Sequence, residues 1–284
     1  MLPLSENEES LLLWRADSPF VLQVLAALRR VGRDVATLVR DEAGLKKVSP
    51  MQPKTKIGAE IPSAFEGKIL WAPEREIFSN SPLSQNSLEE LKKLCAHGQP
   101  LVIVSSQNSC EQILHEVAPL PLHKVLFFPA LVGFGDQNFF ESLFENILDS
   151  HSFAELPQGA VMSLSDAVSY TLSTLLNQKT KLLPSKIWCE GVNVSAQDIE
   201  AGFADFGRVK TQSRIGKKIK TLLGKNKEWT IAETRQAPIG IAKASEVFPS
   251  QLTPWKRFFR DSLRIYQNAP DGMLLLHFPP SRAP

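Results

Sequence analysis

The chain has 284 residues, 43 % hydrophobic, 22 % charged and 8 % aromatic, which excludes a disordered or fibrous protein. Lys and Arg number 32 against 30 Asp and Glu, a net charge of +2, so the chain as a whole offers little long-range attraction to nucleic acid. The length fits one large domain, or a main domain with a smaller lobe. No apolar run approaches the ~18–20 residues of a membrane-spanning helix. The opening MLPLSENEES holds three Glu and no Lys or Arg, the wrong sign for a secretory signal. Cys95, Cys110 and Cys189 are odd in number and far apart, with no CxxC pair. Neither a disulfide framework nor a zinc knuckle is expected, and a reducing cytoplasm is the expected location.

In chain order, Leu11-Leu12-Leu13-Trp14 reads as a buried strand. Asp17 or Ser18 is placed to cap a helix whose first turn holds Pro19, and Val21, Val24, Leu25 and Leu28 recur at helical spacing. Gly32 follows the helix, and Val35 to Val39 is a second strand. Strand, helix and strand in about thirty residues are the dimensions of a βαβ unit. Residues 46–66 carry three prolines and little periodicity, and residues 73–87 read as loop. Lys68 to Ala72, Leu101 to Val104 and Val125 to Phe128 are further apolar strands. Between them lie helices over Leu88, Leu91, Leu94 and Cys95, and over Ile113 and Leu114. Near-continuous apolar strands alternating with helices predict a parallel sheet covered on both faces. Beyond it, helices are expected over 139–148, 165–176 (with Ser165 as cap), 197–206 and 254–266, with a short strand at Ile187 to Cys189. There is no internal repeat.

The order of pieces resembles the extended short-chain dehydrogenase/reductases, the family of nucleotide-sugar epimerases and dehydratases. LLLWRADSPFVLQVLAALRRVGRDVATLVRD is similar to the family's first strand, helix and second strand. LVIVSS is similar to its fifth strand, and FPALVGFGDQ to its Arg-Pro-x-x-Val/Tyr-x-Gly-Pro-Gly-Asp stretch. SLSDAVSYTLSTLL resembles its Val-Asp-Asp-Val-Ala helix start, and LTPWKRFFRDSLRIYQ its closing helix. The likeness spans residues 10 to 268. It implies an α/β doubly wound parallel sheet, Rossmann-like, with a small C-terminal lobe. Residues 10–160 would form the core, and 161–284 the remaining strand and helices together with the lobe. It also implies a homodimer through helices flanking the sheet.

The family's chemistry is not matched. Its cofactor turn, Gly-x-x-Gly-x-x-Gly, brings backbone close to a pyrophosphate. Here those positions hold Arg15, Ser18 and Val21, and Asp17 adds a negative charge beside them. The family's Tyr-x-x-x-Lys pair is absent, because Tyr170 leads to Thr174 and Tyr266 to Pro270. Ser105 or Ser106 matches the family's hydroxyl partner, but a serine without a base is not activated. No catalytic residue is assigned, and ordinary NAD(P) binding is not expected. The crevice residues that the resemblance points to are Arg15, Ser18, Arg40, Ser105, Ser106 and Pro129. Arg40, at the end of the second strand, is the type of residue that meets the 2′-phosphate of NADP, whereas Asp41 suits a free ribose.

The remaining candidates have plain readings. Cys110 and His115 lie five apart and do not share a helix face, so a semi-buried thiol and a surface imidazole are expected. His97, His115, His123, His151 and His277 show no metal-ligand spacing, and no metal is expected. Glu74, Glu76, Glu89 and Glu90 read as solvated surface, and Asp166 as a cap or dipole partner. Residues 208–227 hold eight of the 32 basic residues and no acid, leaving 24 against 30, a net of −6, for the rest of the chain. This segment is a solvated face, a contact for an anionic partner through Arg214, Lys217, Lys218 and Lys220, or an anionic small-molecule site.

The leading expectation is a degenerate, non-catalytic member of the family that binds a protein partner, with no membrane span and no nucleic acid. One alternative is an NAD(P)-dependent nucleotide-sugar epimerase or reductase with an atypical cofactor site. The other is an adaptor for an anionic partner through 208–227. Whether the crevice at the strand ends is open, or plugged by Trp14, Arg15 and Phe20, separates the first two.

Overall fold

Side chains alternate across a strand, so each apolar run feeds both faces of the sheet. In the computed structural model the described residues are 10–58, 60–63, 65–116, 123–132, 160–177, 183–192, 236–248, 252–254 and 257. Their strands are β1 (Leu11–Leu13), β2 (Ala36–Val39), β3 (Lys56–Ile57), β4 (Lys68–Trp71), β5 (Leu101–Ser106), β6 (Lys124–Phe128), β7 (Ala130–Val132), β8 (Val161–Ser163), β9 (Lys186–Trp188) and β10 (Ala242–Lys243). Eight of these form one sheet in the order β10-β9-β6-β5-β4-β1-β2-β3, with parallel pairing throughout. The order reverses direction at β1, as in a doubly wound sheet. The expected fold class is the one observed.

One face is covered by α1 (Pro19–Arg30) and the other by α4 (Gln85–Ala96) and α5 (Cys110–Glu116), with α2 (Glu42–Val48) and α3 (Glu74–Ser79) between the strands. α6 (Leu164–Leu176) joins α1 on the first face, and α7 (Ala244–Val247) follows β10. Leu13, Leu70, Val102, Val104, Leu126 and Phe128 pack toward α1 and α6. Their neighbours Leu12, Ile69, Trp71, Leu101, Ile103, Val125 and Phe127 pack toward α4 and α5. Trp71, Phe20, Phe127 and Phe128 are fully buried, each worth roughly 1.5–3 kcal/mol of apolar transfer.

Local signals set the helix starts. Ser18 accepts from the Val21 N–H and Pro19 opens α1, as its sequence predicts. Asp41 caps α2 and Ser84 caps α4 in the same way. Two expectations, the loop over 73–87 and the Ser165 cap, need correction, and two further stretches hold elements for which none was predicted. The stretch 73–87, expected as loop, holds α3 and the first residues of α4, because a six-residue helix is too short to show a period. Residues 46–66 include the end of α2 and the two-residue edge strand β3. Ala130–Val132 is a strand, paired in parallel with Val161–Ser163 in a small second sheet. The cap of α6 is Ser163, whose Oγ accepts from the Asp166 N–H at 3.0 Å, whereas Ser165 bonds to the Ser163 hydroxyl. The helices expected over 139–148 and 197–206, all but Pro254 and Arg257 of the one over 254–266, and the basic segment 208–227 lie outside the described residues.

Candidate functional site

Parallel sheets bind ligands at the carboxyl ends of their strands, where the strand order reverses. Here that place is the turn from β1 into α1, beside the end of β4. Arg15 sits in it with φ +53°, a left-handed conformation that glycine adopts freely and that costs a side-chain-bearing residue about 1 kcal/mol. The backbone thus holds a glycine-like conformation while carrying a long cationic side chain. That side chain forms an ion pair with Glu90 of α4. The other Glu90 oxygen accepts from the indole N–H of the buried Trp71, at the end of β4, at 2.8 Å. One bridge therefore ties the β1 turn to β4 and α4 across the switch point. Burial lowers the pKa of Arg15 from its usual value; Glu90 opposes that, and Arg40 adds to it.

Several backbone donors of this turn are already used. The N–H groups of Trp14, Ala16 and Ser18 donate to Leu70 O, Leu38 O and Arg15 O, at 3.1, 2.8 and 3.0 Å. The Val21 N–H goes to the Ser18 hydroxyl, and Pro19 has none to give. Asp17 lies against Gly44, where a Cβ would come within 3.0 Å of its Cγ, and its Oδ1 is buried without a partner. A carboxylate in that position repels a phosphate. These residues do not fit the pyrophosphate of a dinucleotide.

Apolar side chains fill the adjoining space. Phe20 is fully buried, with its ring centroid 6.4 Å from that of Phe128, and Ile77 and Phe78 of α3 join the same cluster. Trp14 is buried on the opposite face with Leu38 and Ile61. Phe20 and Trp14 are thus buried in the core on opposite faces of the sheet, while the Arg15 side chain remains 29 % exposed.

Ser105 and Ser106 are fully buried at the end of β5. The Ser105 hydroxyl lies 2.6 Å from that of Ser109, while the Ser106 hydroxyl donates to Ser81 O and accepts from the Ser109 N–H. Both serve the turn that follows the strand. Tyr170 is buried on α6 and stacks on Phe248 at 5.0 Å, on the α1 face; Tyr266 lies outside the described residues. Pro129 is buried against Gly191, where an added Cβ would meet it at 2.8 Å. Arg40 is exposed, and its neighbour Asp41 accepts from the Gly44 N–H at 2.9 Å as the cap of α2. Burial pushes the Cys110 thiol up to about 11, and the His115 side chain is 88 % exposed, so the two make no pair. No group of three or more His, Cys, Asp or Glu among the described residues can hold a metal ion, and none of their helices is long and apolar enough to cross a membrane. Arg214, Lys217, Lys218 and Lys220 lie outside the described residues.

Two of the acids read as solvated surface are not. Glu90 makes the bridge just described. Glu76 is buried, and accepts from the Ser84 N–H at 3.1 Å and the Ser87 hydroxyl at 2.7 Å. Burial pushes its pKa up, but these bonds outweigh it and hold the carboxyl below its usual value. Glu89 is exposed as expected, and the Glu74 side chain is not among those described.

No family model and no curated protein matches the chain. Solved structures match its fold along nearly its whole length. The nucleoside-diphosphate-sugar epimerase from Pseudomonas aeruginosa superposes with a TM-score of 0.59 at 11 % identity, over 92 % of this chain and 98 % of that one. Vestitone reductase from alfalfa (Medicago sativa) gives 0.58 at 11 %, over 92 % and 98 %. Gre2 from Candida albicans, in complex with NADPH, gives 0.56 at 12 %, over 92 % and 99 %. At these identities the likeness is one of fold. The fold is the one that these reductases and this epimerase share, which is the fold that the resemblance to the extended short-chain dehydrogenase/reductases implies.

Proposed function

We propose that this chain is a non-catalytic relative within that fold, a binding or scaffold protein whose partner is a polypeptide. The observation that carries the reading is the Arg15–Glu90–Trp71 bridge, which stands at the switch point where a dinucleotide would cross. The buried hydroxyls of Ser105 and Ser106 and the absence of a Tyr-x-x-x-Lys sequence support it. The test is thermal unfolding with and without millimolar NAD⁺, NADP⁺, NADH and NADPH. A ligand at a hundred times its dissociation constant stabilises by roughly 2.7 kcal/mol, a visible rise in melting temperature. No rise with any of the four is expected, and a clear rise with one overturns the reading.

A second reading is favoured by one observation. Arg15 keeps a glycine-like backbone, and Arg40 is close enough to act on it electrostatically. Two guanidinium groups at one mouth would suit the 2′-phosphate of NADP, in an NAD(P)-dependent epimerase or reductase with an atypical site. A rise with NADP⁺ and NADPH, and not with NAD⁺ and NADH, would select it.

A further inference from the structure

The chain enters β1 at the end of the sheet opposite the Arg15 turn. What stands there is independent of what that turn does. Residues 1–9 lie outside the described residues, and three of them, Glu6, Glu8 and Glu9, are acidic. Ser10 fixes where this segment meets the fold. Its carbonyl accepts from the Lys68 N–H at 2.9 Å, on the β4 side. On the β2 side Leu12 is level with Ala36. Continuing that register two residues brings Ser10 to the level of Asp34, one strand spacing (~4.8 Å) across.

The β2 flank is basic. Arg29 and Arg30 stand in the last turn of α1, and the Arg33 N–H donates back to Leu28 O at 3.0 Å. Arg29 and Arg30 are exposed, and Arg33 is half-buried. Asp34 is the acid that follows them. It accepts from Arg29 at 3.4 Å and from the Gln52 amide at 3.1 Å, and Lys54 acts on it electrostatically. Four cations thus surround one described carboxylate. Val31, between the arginines, is 65 % exposed. The β4 flank carries the opposite charge. Gly67 abuts Ser10 O, and the exposed Glu66 beside it repels an acid from that side.

Glu8 and Glu9 lie within two residues of Ser10, at most ~7 Å of extended chain. An exposed ion pair is weak alone. A short tether, however, raises the local concentration of each glutamate beside the arginines, and several pairs act together. We propose that residues 2–9 fold back on the end of α1 as an acidic strap. Glu6, Glu8 and Glu9 pair with Arg29, Arg30 and Arg33, and Leu2 and Leu4 cover Val31. The occupant of this basic, partly apolar face is the chain's own preceding segment, and an acidic partner reaches the face only by displacing it.

Nicking of residues 2–9 in the full chain by subtilisin, followed by mass spectrometry, reads the fraction of time the segment is undocked. At low salt the wild type should be nicked roughly fivefold more slowly than the variant Arg30→Glu with Arg33→Glu, in which the nicked sequence is unchanged. Joining those two changes to Glu8→Lys and Glu9→Lys restores the opposite charges and should slow nicking again. Should the arginine variant fail to fold, Glu6→Gln with Glu8→Gln and Glu9→Gln alters no residue of the sheet or its helices. Its nicking, relative to a free peptide of the same sequence, should exceed that of the wild type by a similar factor. About 0.5 M NaCl should remove most of the wild-type protection. Nicking of the wild type at the free-peptide rate, or equal protection in the wild type and the glutamine variant, overturns the proposal. Protection that is lost on dilution, with a dimer seen by light scattering, assigns the segment to a second copy and also overturns it. A melting-temperature rise with a nicotinamide nucleotide concerns the other end of the strands and leaves this result as it stands.

Discussion

Arg15 holds two unfavourable positions at once, a left-handed backbone and a half-buried charge, and Glu90 offsets the second. Glu90 in turn satisfies the Trp71 indole, so one carboxylate serves two partners. Glu90→Gln keeps an acceptor for Trp71 but removes the charge facing Arg15, and should cost about 1 kcal/mol; Glu90→Ala removes both and should cost about 2 kcal/mol. Urea midpoints at an unchanged slope read this directly. If both variants unfold at the wild-type midpoint, the bridge contributes nothing to stability. The sequence shows an arginine where the resembled turn has glycine, and so shows that something has changed there. It does not show the partner, because Glu90 lies far along the chain, on a helix that only the sheet brings alongside β1. Glu76 was hidden for the same reason: a carboxylate that caps a neighbouring helix looks, in sequence, like any solvated glutamate.

Helix ends follow local chemistry, and most were readable. Ser18-Pro19 and the Val21/Val24/Leu25/Leu28 stripe gave α1 its start and its buried face. The start of α6 was harder, because Ser163 and Ser165 flank the same boundary. Ser163 takes the Asp166 N–H, which frees the Asp166 carboxylate to accept from the Thr253 N–H at 2.9 Å and the Thr253 hydroxyl at 2.8 Å. The side chain expected to act as a cap or dipole partner therefore also ties a distant segment to the helix start. Ser163→Ala should lower stability by about 1 kcal/mol, whereas Ser165→Ala should stay within about 0.5 kcal/mol. A larger loss in Ser165→Ala, by thermal or urea unfolding, would reverse this assignment. β7 and β8 were missed at this scale. Each is three residues long, and neither has a hairpin turn to announce its partner.

Across the whole molecule, acid should loosen the fold in two stages. His123 is buried beside the sheet; its Nδ1 accepts from the Leu101 N–H at 3.2 Å, and its Nε2 has no partner. Burial lowers its pKa below the usual 6.5, so the unfolded chain takes up that proton first. For this group stability is flat above pH 6.5 and declines as pH falls from 6.5 toward the folded value. Glu76 acts lower. Its folded pKa lies below 4.5, so its contribution is present above 4.5 and is lost as pH falls through the folded value. His123→Gln should flatten the first decline and leave the second; urea midpoints at about pH 7.5 and pH 5.5 measure it, and an unchanged slope in the variant would acquit His123. The sequence by itself determined the layered α/β class, the parallel sheet and most strand positions, because apolar runs and caps act over a few residues. Only the tertiary structure decided that an ion pair spans the β1 turn, that two serines and Glu76 are interior, and that a polar groove opens beside α5. Each of those depends on groups that meet only after distant segments of chain are packed, and no local pattern records which partner a buried charge or hydroxyl will find.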